Sequence, residues 1–362
     1  MMEKFILKYF NLIRTIIAIL IGFIISVSLI FLVSKDSIAA LGYLFLGPFG
    51  SISRIGNIVE LATPIIFCGI AIAIPFQAQQ FNVGAEGTFF ISAAFGTAFA
   101  LIIQGLNLPG FIYILVVLTF AGLMGAFWGF IPGYLKAKYR ANMVVLTLML
   151  NYIAYFISIY LINYHFRDKA AGYLTSYRLP ETLFLKQFIP NTRIHIGFLI
   201  AIASVFIAYY FLYHTTLGYE IRMVGFNFHF AKYSGINVFK VIVLSSLIGG
   251  IFAGIGGMAE VMGIHRRFLW QSLPGYGWDG VVVAIIGHNN PILIMFAAFF
   301  LAYLRIGGQV LNLLSDVPYE LISVIEAIII LLITAEAFLE NVKYRITVRE
   351  AEKEAFKNES SS

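Results

Sequence analysis

Charge is scarce in this chain. Asp, Glu, Lys and Arg make up 12% of its 362 residues, and hydrophobic residues 60%. A soluble domain carries about 25% charged residues, so most of this surface does not face water, and the composition is that of an integral membrane protein. Cysteine is nearly missing. Cys68 stands alone inside an apolar run, which excludes a disulfide within the chain and a cysteine metal cluster. No His/Cys metal spacing and no nucleophile motif occurs, so catalysis is not indicated. There is no G-x-x-x-x-G-K-[ST] and no Gly-Lys pair at all, which excludes ATP binding through a P-loop. A concentrated basic face is also lacking. The net charge of +6 is spread over the ends of apolar runs, which argues against nucleic acid and for orientation in a lipid bilayer.

What is present is apolar sequence in lengths that cross a membrane. The chain has room for about ten spans of ~20 residues. Lys4, Lys8 and Arg14 precede a run too long for a signal-peptide core, which reads as a retained first span over 15–33. Further spans are expected at 58–76, 84–104, from Pro109 to before Lys136, 142–162, 196–213 and 241–263. Weaker apolar stretches follow at 280–287, 291–304 and 319–338. The basic N-terminus, the cluster Lys136, Lys138 and Arg140, and the loop bearing Arg222, Lys232 and Lys240 then share one side. The positive-inside rule makes that side cytoplasmic. Residues 1–339 form one polytopic transmembrane domain on this reading, and 340–362 a charged cytoplasmic tail. The stretch at 280–287 is short for a crossing; a short eighth span and a re-entrant half-helix both fit it.

The fold class expected is all-α, with about ten transmembrane helices, short or re-entrant helices among them. Ten spans divide five and five into halves of inverted topology. Each half holds a Gly-rich polar break with one acid, Asn82-Val-Gly-Ala-Glu-Gly87 and Gly275-Tyr-Gly-Trp-Asp-Gly280. Paired interruptions of this kind point to a transport pathway. Its candidate residues are Asn82, Glu86, Asn142, Asn151, Tyr152, Tyr276, Trp278 and Asp279. Uncharged polar groups suit a hydroxyl-rich solute, and the aromatic rings can stack on a sugar or base. Each also has a plainer role. Glu86 and Asp279 suit helix capping, the amides interhelical hydrogen bonds, and the aromatics the interfacial belt. Glu60, Glu260, Glu326 and Glu336 are the other acids within or beside apolar runs, with a buried hydrogen-bonded pair expected for Glu326 and an interfacial place for Glu336.

The loop Thr216–Asn237 is an island of charged and aromatic residues built to touch something. Thr216-Leu-Gly-Tyr-Glu-Ile-Arg-Met-Val-Gly-Phe-Asn and Ala231-Lys-Tyr-Ser-Gly-Ile-Asn237 resemble the coupling loop of ABC-importer permeases in the branch for simple sugars, nucleosides and branched-chain amino acids. Phe81-Asn-Val-Gly-Ala-Glu-Gly87 is similar to a signature of the nucleoside and simple-sugar members. Met149-Leu-Asn-Tyr-Ile153, Pro274-Gly-Tyr-Gly-Trp-Asp-Gly280 and Gly287-His-Asn-Asn-Pro291 are further matches. Thr88, in place of Gln, and Glu326, in place of an uncharged residue, depart from the pattern.

The resemblance implies a bacterial cytoplasmic (inner) membrane protein with both termini cytoplasmic. It binds no cofactor itself, and partner ATP-binding subunits use ATP and Mg. A second permease or a second copy and an extracytoplasmic substrate-binding lipoprotein complete the assembly. A cytoplasmic coupling loop at 214–238 would dock on the ATPase through Tyr219, Glu220, Arg222, Met223, Gly225, Phe226, Asn227 and Tyr233. Arg266 and Arg267 would meet the binding protein. The cargo is a small polar solute, a nucleoside ahead of ribose or galactose. A branched-chain amino acid permease and an ion-coupled secondary transporter using Glu86, Asp279 or Glu326 are the alternatives.

Overall fold

The computed structural model describes residues 10–106, 109–190 and 192–334. Glu336 and the tail from Glu340 lie outside them. The side chain of Glu326 is likewise outside the description, although its backbone lies in the last helix. The described secondary structure is helical apart from two isolated bridges, Arg167 with Ser176 and Gln187 with His195.

Two compact units are formed. The first comprises the described residues up to Pro48 and those from Leu304 onward. It holds α1 (Phe10–Val33) packed against the last helix, α13 (Tyr319–Thr334), and a short α2 (Ser37–Phe45). The segment 34–57, between the first two expected spans, reads in the sequence as a loop containing Gly47-Pro48-Phe49-Gly50. In the structure it contains α2, whose start is fixed by the Asp36 side chain accepting from Ala39 N–H. Asp316 holds this unit's turn, accepting from Ser34 Oγ at 2.6 Å and Lys35 N–H at 3.0 Å.

The second unit, Phe49–Tyr303, contains the polar breaks and the aromatic loop. Its order is α3 (Ile52–Gln77), α4 (Ala85–Ile103), α5 (Gly110–Tyr139), α6 (Met143–His165), α7 (Ile196–His214), α8 (Thr216–Phe226), α9 (Phe228–Tyr233), α10 (Val238–Glu260), α11 (Tyr276–Ile286) and the start of α12 (Pro291–Leu314). Seven of the described helices, α3 to α7, α10 and α12, are long and apolar enough to cross a membrane. α3 starts six residues before the expected Ile58, because the Ser51 hydroxyl caps it by accepting from Arg54 N–H. α12 runs ten residues past its expected end at Leu304.

α10 is the centre of the unit and packs on α3, α4 and α5. It meets α5 through glycine. A Cβ on Gly125 would overlap the Gly250 carbonyl, and one on Gly254 the Ala121 carbonyl. In lipid, where apolar burial between helices is not the driving force, such close backbone contact supplies the dispersion that holds a pair together.

α11 decides how the short stretch at 280–287 is built. Eleven residues rise about 16 Å, roughly half the thickness of the hydrocarbon layer. It lies beside the C-terminal half of α3: Cβ atoms on Gly69 and Gly280 would meet Val283 and Cys68 respectively, and the turn after it bonds to Gln77. A non-helical segment with Phe268 and Trp270 buried leads to its N-terminus. It is therefore a half-length helix joined to an unwound stretch, a form that membrane proteins tolerate when protein surrounds the backbone.

His195 caps α7, its Nδ1 accepting from Gly197 N–H at 3.0 Å. The ring is buried against Gly263, and burial pushes its pKa down to about 4. The unfolded chain, with a histidine pKa near 6.5, binds the proton first as pH falls. Stability due to neutral His195 is thus full above about pH 6.5 and is lost on acidification toward pH 4, amounting to about 2–3 kcal/mol. Thermal unfolding in detergent at pH 7.5 and pH 4.5 should show this loss. His195→Asn, which keeps a capping acceptor, should lose less over the same interval, and equal losses would show that His195 does not titrate with folding.

Candidate translocation site and aromatic loop

Between α3 and α4 the chain is not helical over Gln80–Val83, and its buried backbone groups must find partners away from water. α6 supplies them. Thr147 Oγ1 accepts from Val83 N–H at 3.3 Å, while Asn151 donates to the Val83 carbonyl at 3.1 Å and accepts from Gly87 N–H at 2.9 Å. Asn82 turns back on its own loop and accepts from Gly84 N–H at 2.8 Å. Gly87 is required here, because a Cβ would run into the Asn151 backbone.

Glu86 joins the two polar breaks. It sits in the first turn of α4, 1% exposed, and its carboxylate accepts from Gly275 N–H at 2.7 Å and from Gly277 N–H. Those are amides at the N-terminus of α11, the end where a helix presents unpaired donors and partial positive charge. Gly277 is packed against the Glu86 backbone, so the two helix starts meet with no side chain between them. One carboxylate therefore ties two helix N-termini together.

Asn82, Glu86, Asn151, Tyr276 and Asp279 are thus brought into one region. Asp279 is buried in the first turn of α11, and the Tyr276 ring lies 5.5 Å from that of Phe89. The other pathway candidates stand apart. Asn142 is exposed and caps α6 by accepting from Val144 and Val145 N–H. Tyr152, 61% exposed, follows Asn151 by one helical step of 100° and so points to the outer face. Trp278 is 52% exposed for the same reason on α11.

Sequence reasoning missed Trp128, Thr147 and Ser246. With Asn82, Gly84, Thr88 and Gly249 they line a cavity of about 20 Å³, room for a water molecule and too small for a nucleoside or sugar. The indole Nε1 of Trp128 and the Ser246 hydroxyl are buried and find no hydrogen-bond partner among the described residues. In sequence they lie amid apolar helix with no break beside them to draw attention. A solute passes only if these helices separate.

The aromatic loop folds as two short helices bent at Asn227. Its side chains divide by direction. Ile221, Val224 and Ala231 are buried, and Arg222 is turned inward with its guanidinium 4.9 Å from the Tyr213 ring centre. Gly225 rests on the Gln77 carbonyl at the end of α3, where a Cβ would overlap the oxygen. Tyr219, Phe226, Phe228, Phe230 and Tyr233 face outward, Phe226 84% and Tyr233 91% exposed, with Asn227 exposed among them. Glu220 and Met223 are half-buried. A cluster of exposed aromatics is an unusual surface, and its composition is that of a protein contact.

At the other end of α10, Arg266 is exposed with its guanidinium 5.0 Å from the Phe184 ring. Arg267 pairs with Asp168 at 3.7 Å. Glu60 pairs with Arg193 at 3.3 Å, and buried Glu260 lies 3.8 Å from His265 Nε2.

A half-length helix, two buried polar breaks and an aromatic bent loop are the marks of a transport subunit. The family model for the permease component of the branched-chain amino acid transport system matches residues 54–334. The chain belongs to this permease family. The guanosine ABC transporter permease NupP of Bacillus subtilis is 35% identical to this permease, covering 90% of it and 93% of NupP. The glucose permease TsgB13 of Haloferax volcanii is 31% identical over 86% and 84% of the two chains, and the nucleoside permease NupB of Lactococcus lactis 30% over 90% and 91%. No solved structure matches the chain. The permease is a multi-pass membrane protein and a transporter component.

Proposed function

We propose that this permease moves nucleosides into the cell as the transmembrane part of an ATP-driven importer. The similarity to NupP and NupB over nine-tenths of the chain carries this reading. Import of a simple sugar is the second reading, favoured by the similarity to TsgB13. Residues 1–339 serve as one permease domain with a charged tail at 340–362. Both termini and the loop 214–238 face the cytoplasm of a bacterial inner membrane, as the basic residues Arg222, Lys232 and Lys240 favour.

In this assembly ATP and Mg are used by partner ATP-binding subunits. The outward aromatics Tyr219, Phe226 and Tyr233, with Asn227 between them, fill a groove on the ATPase. Glu220, Arg222, Met223 and Gly225 anchor the loop to the membrane helices. A second permease or a second copy completes the membrane part, and a lipoprotein that binds the solute delivers it on the far side, where Arg266 offers a cation. Asn82, Glu86, Asn151, Tyr276 and Asp279 surround the closed path.

The test is uptake of labelled guanosine, ribose, galactose, glucose and leucine by cells with and without the chain. Deletion should abolish guanosine uptake and leave the other four unchanged. Loss of a sugar's uptake with guanosine unaffected would replace the nucleoside reading with the sugar one.

A further inference from the structure

The turn after α11 contains two successive non-glycine residues in the left-handed region, His288 at φ 49° and Asn289 at φ 57°. Helices do end this way, with the Asn289 amide donating to the Ala284 carbonyl at 2.8 Å and the His288 amide to that of Ile285 at 3.0 Å. Glycine is the usual occupant, because a side chain there crowds the following carbonyl. Conformations that cost energy persist where their surroundings hold them, and they gather at parts that switch.

Gln77 touches this turn from outside. Its side-chain amide donates to the Asn289 carbonyl at 3.1 Å. One residue thus contacts loop 216–237 through its backbone carbonyl, against Gly225. Its side chain grips the C-terminal turn of α11, whose N-terminus Glu86 holds.

We propose that Gln77 is a positioning residue that passes displacement of loop 216–237 to the half-length helix α11, so that ATPase closure moves the gate at the polar breaks. This rests on the reading of that loop as the ATPase contact. Removing the amide should leave ATPase docking intact, because no outward aromatic is touched, and should disconnect hydrolysis from solute movement.

The experiment uses the full transporter in proteoliposomes, with guanosine as the probe, and reads uptake and ATP hydrolysis together. Gln77→Met, close in size and without a donor, should lower uptake by about tenfold or more, within the range of coupling energies between sites, with hydrolysis nearly unchanged. Unchanged uptake overturns the proposal, and so does a fall in both rates in proportion, which marks a structural role. Should Gln77→Met not accumulate, Gln77→Glu supplies the same reading, since it keeps size and sets an acceptor against the Asn289 carbonyl. Phe226→Glu tests the loop separately by co-purification of the ATPase. Retained ATPase and normal coupling in Phe226→Glu would refute the loop reading; lost ATPase there with a fully coupled Gln77→Met would refute the Gln77 step alone.

Discussion

Gly225→Val should abolish transport while the protein still inserts in the membrane. Gly225 has an ordinary helical backbone and needs no conformational freedom. It needs space, because its α-hydrogen side lies on the Gln77 carbonyl where no Cβ fits. A valine there must push α8 off the end of α3 or displace Gln77, and either separates the loop from the membrane helices. Overpacking of a well-fitted contact costs about 1–3 kcal/mol in the simplest cases, and here the obstacle is backbone, which cannot rotate away. Gly235 makes the contrast. It has φ 84° and open space around the missing Cβ, so Gly235→Ala meets only the left-handed penalty of about 1 kcal/mol. Uptake and membrane abundance should therefore separate the two variants, with Gly225→Val abundant and inactive and Gly235→Ala close to wild type. Transport by Gly225→Val within twofold of wild type would show that this contact transmits nothing.

The physical signals in the sequence differ in reach, and the structure divides accordingly. Long apolar runs and the scarcity of charge announce the membrane helices, and Gly-rich interruptions announce the breaks at 82–87 and 275–280. Those signals are local. The partners of the breaks are not: Asn151 lies 64 residues from Gly87, and the Glu86 carboxylate reaches 189 residues ahead to Gly275. Helical periodicity along α6 could have shown that Asn151 and Tyr152 cannot share a face, since neighbours in a helix diverge by 100°. The direction of each aromatic on loop 216–237 is harder to read. Its short helices mix buried Ile221 and Val224 with exposed Phe226 and Tyr233, all apolar, so hydrophobicity alone does not separate inner from outer. Gln77 opens a polar break at the end of an apolar helix, but nothing local marks its two contacts, with Asn289 and Gly225.

Glu86→Ala should damage both stability and transport, and Glu86→Gln should separate them. The carboxylate satisfies two amides at the start of α11 inside the protein. Removing it leaves two buried donors unpaired, at about 1–3 kcal/mol each, and strips the negative charge from two helix N-termini. Loss of several kcal/mol at the end of a half-length helix unwinds the element that the breaks depend on. Alanine should therefore lower the thermal midpoint and reduce uptake by about tenfold or more, because the equilibrium that keeps the start of α11 wound weakens about tenfold for each 1.4 kcal/mol lost. Glutamine retains one acceptor oxygen and lacks the charge, so it should fall between wild type and alanine in stability. The concentration dependence of uptake then decides what Glu86 does besides holding α11. If it only caps, glutamine lowers the maximal rate in step with stability and leaves the half-saturating guanosine concentration alone. If it lines the path, that concentration rises severalfold in the stable glutamine variant. A Glu86→Ala protein with wild-type midpoint and uptake would mean that neither bond matters, and that α11 is held by its packing on α3 and α4.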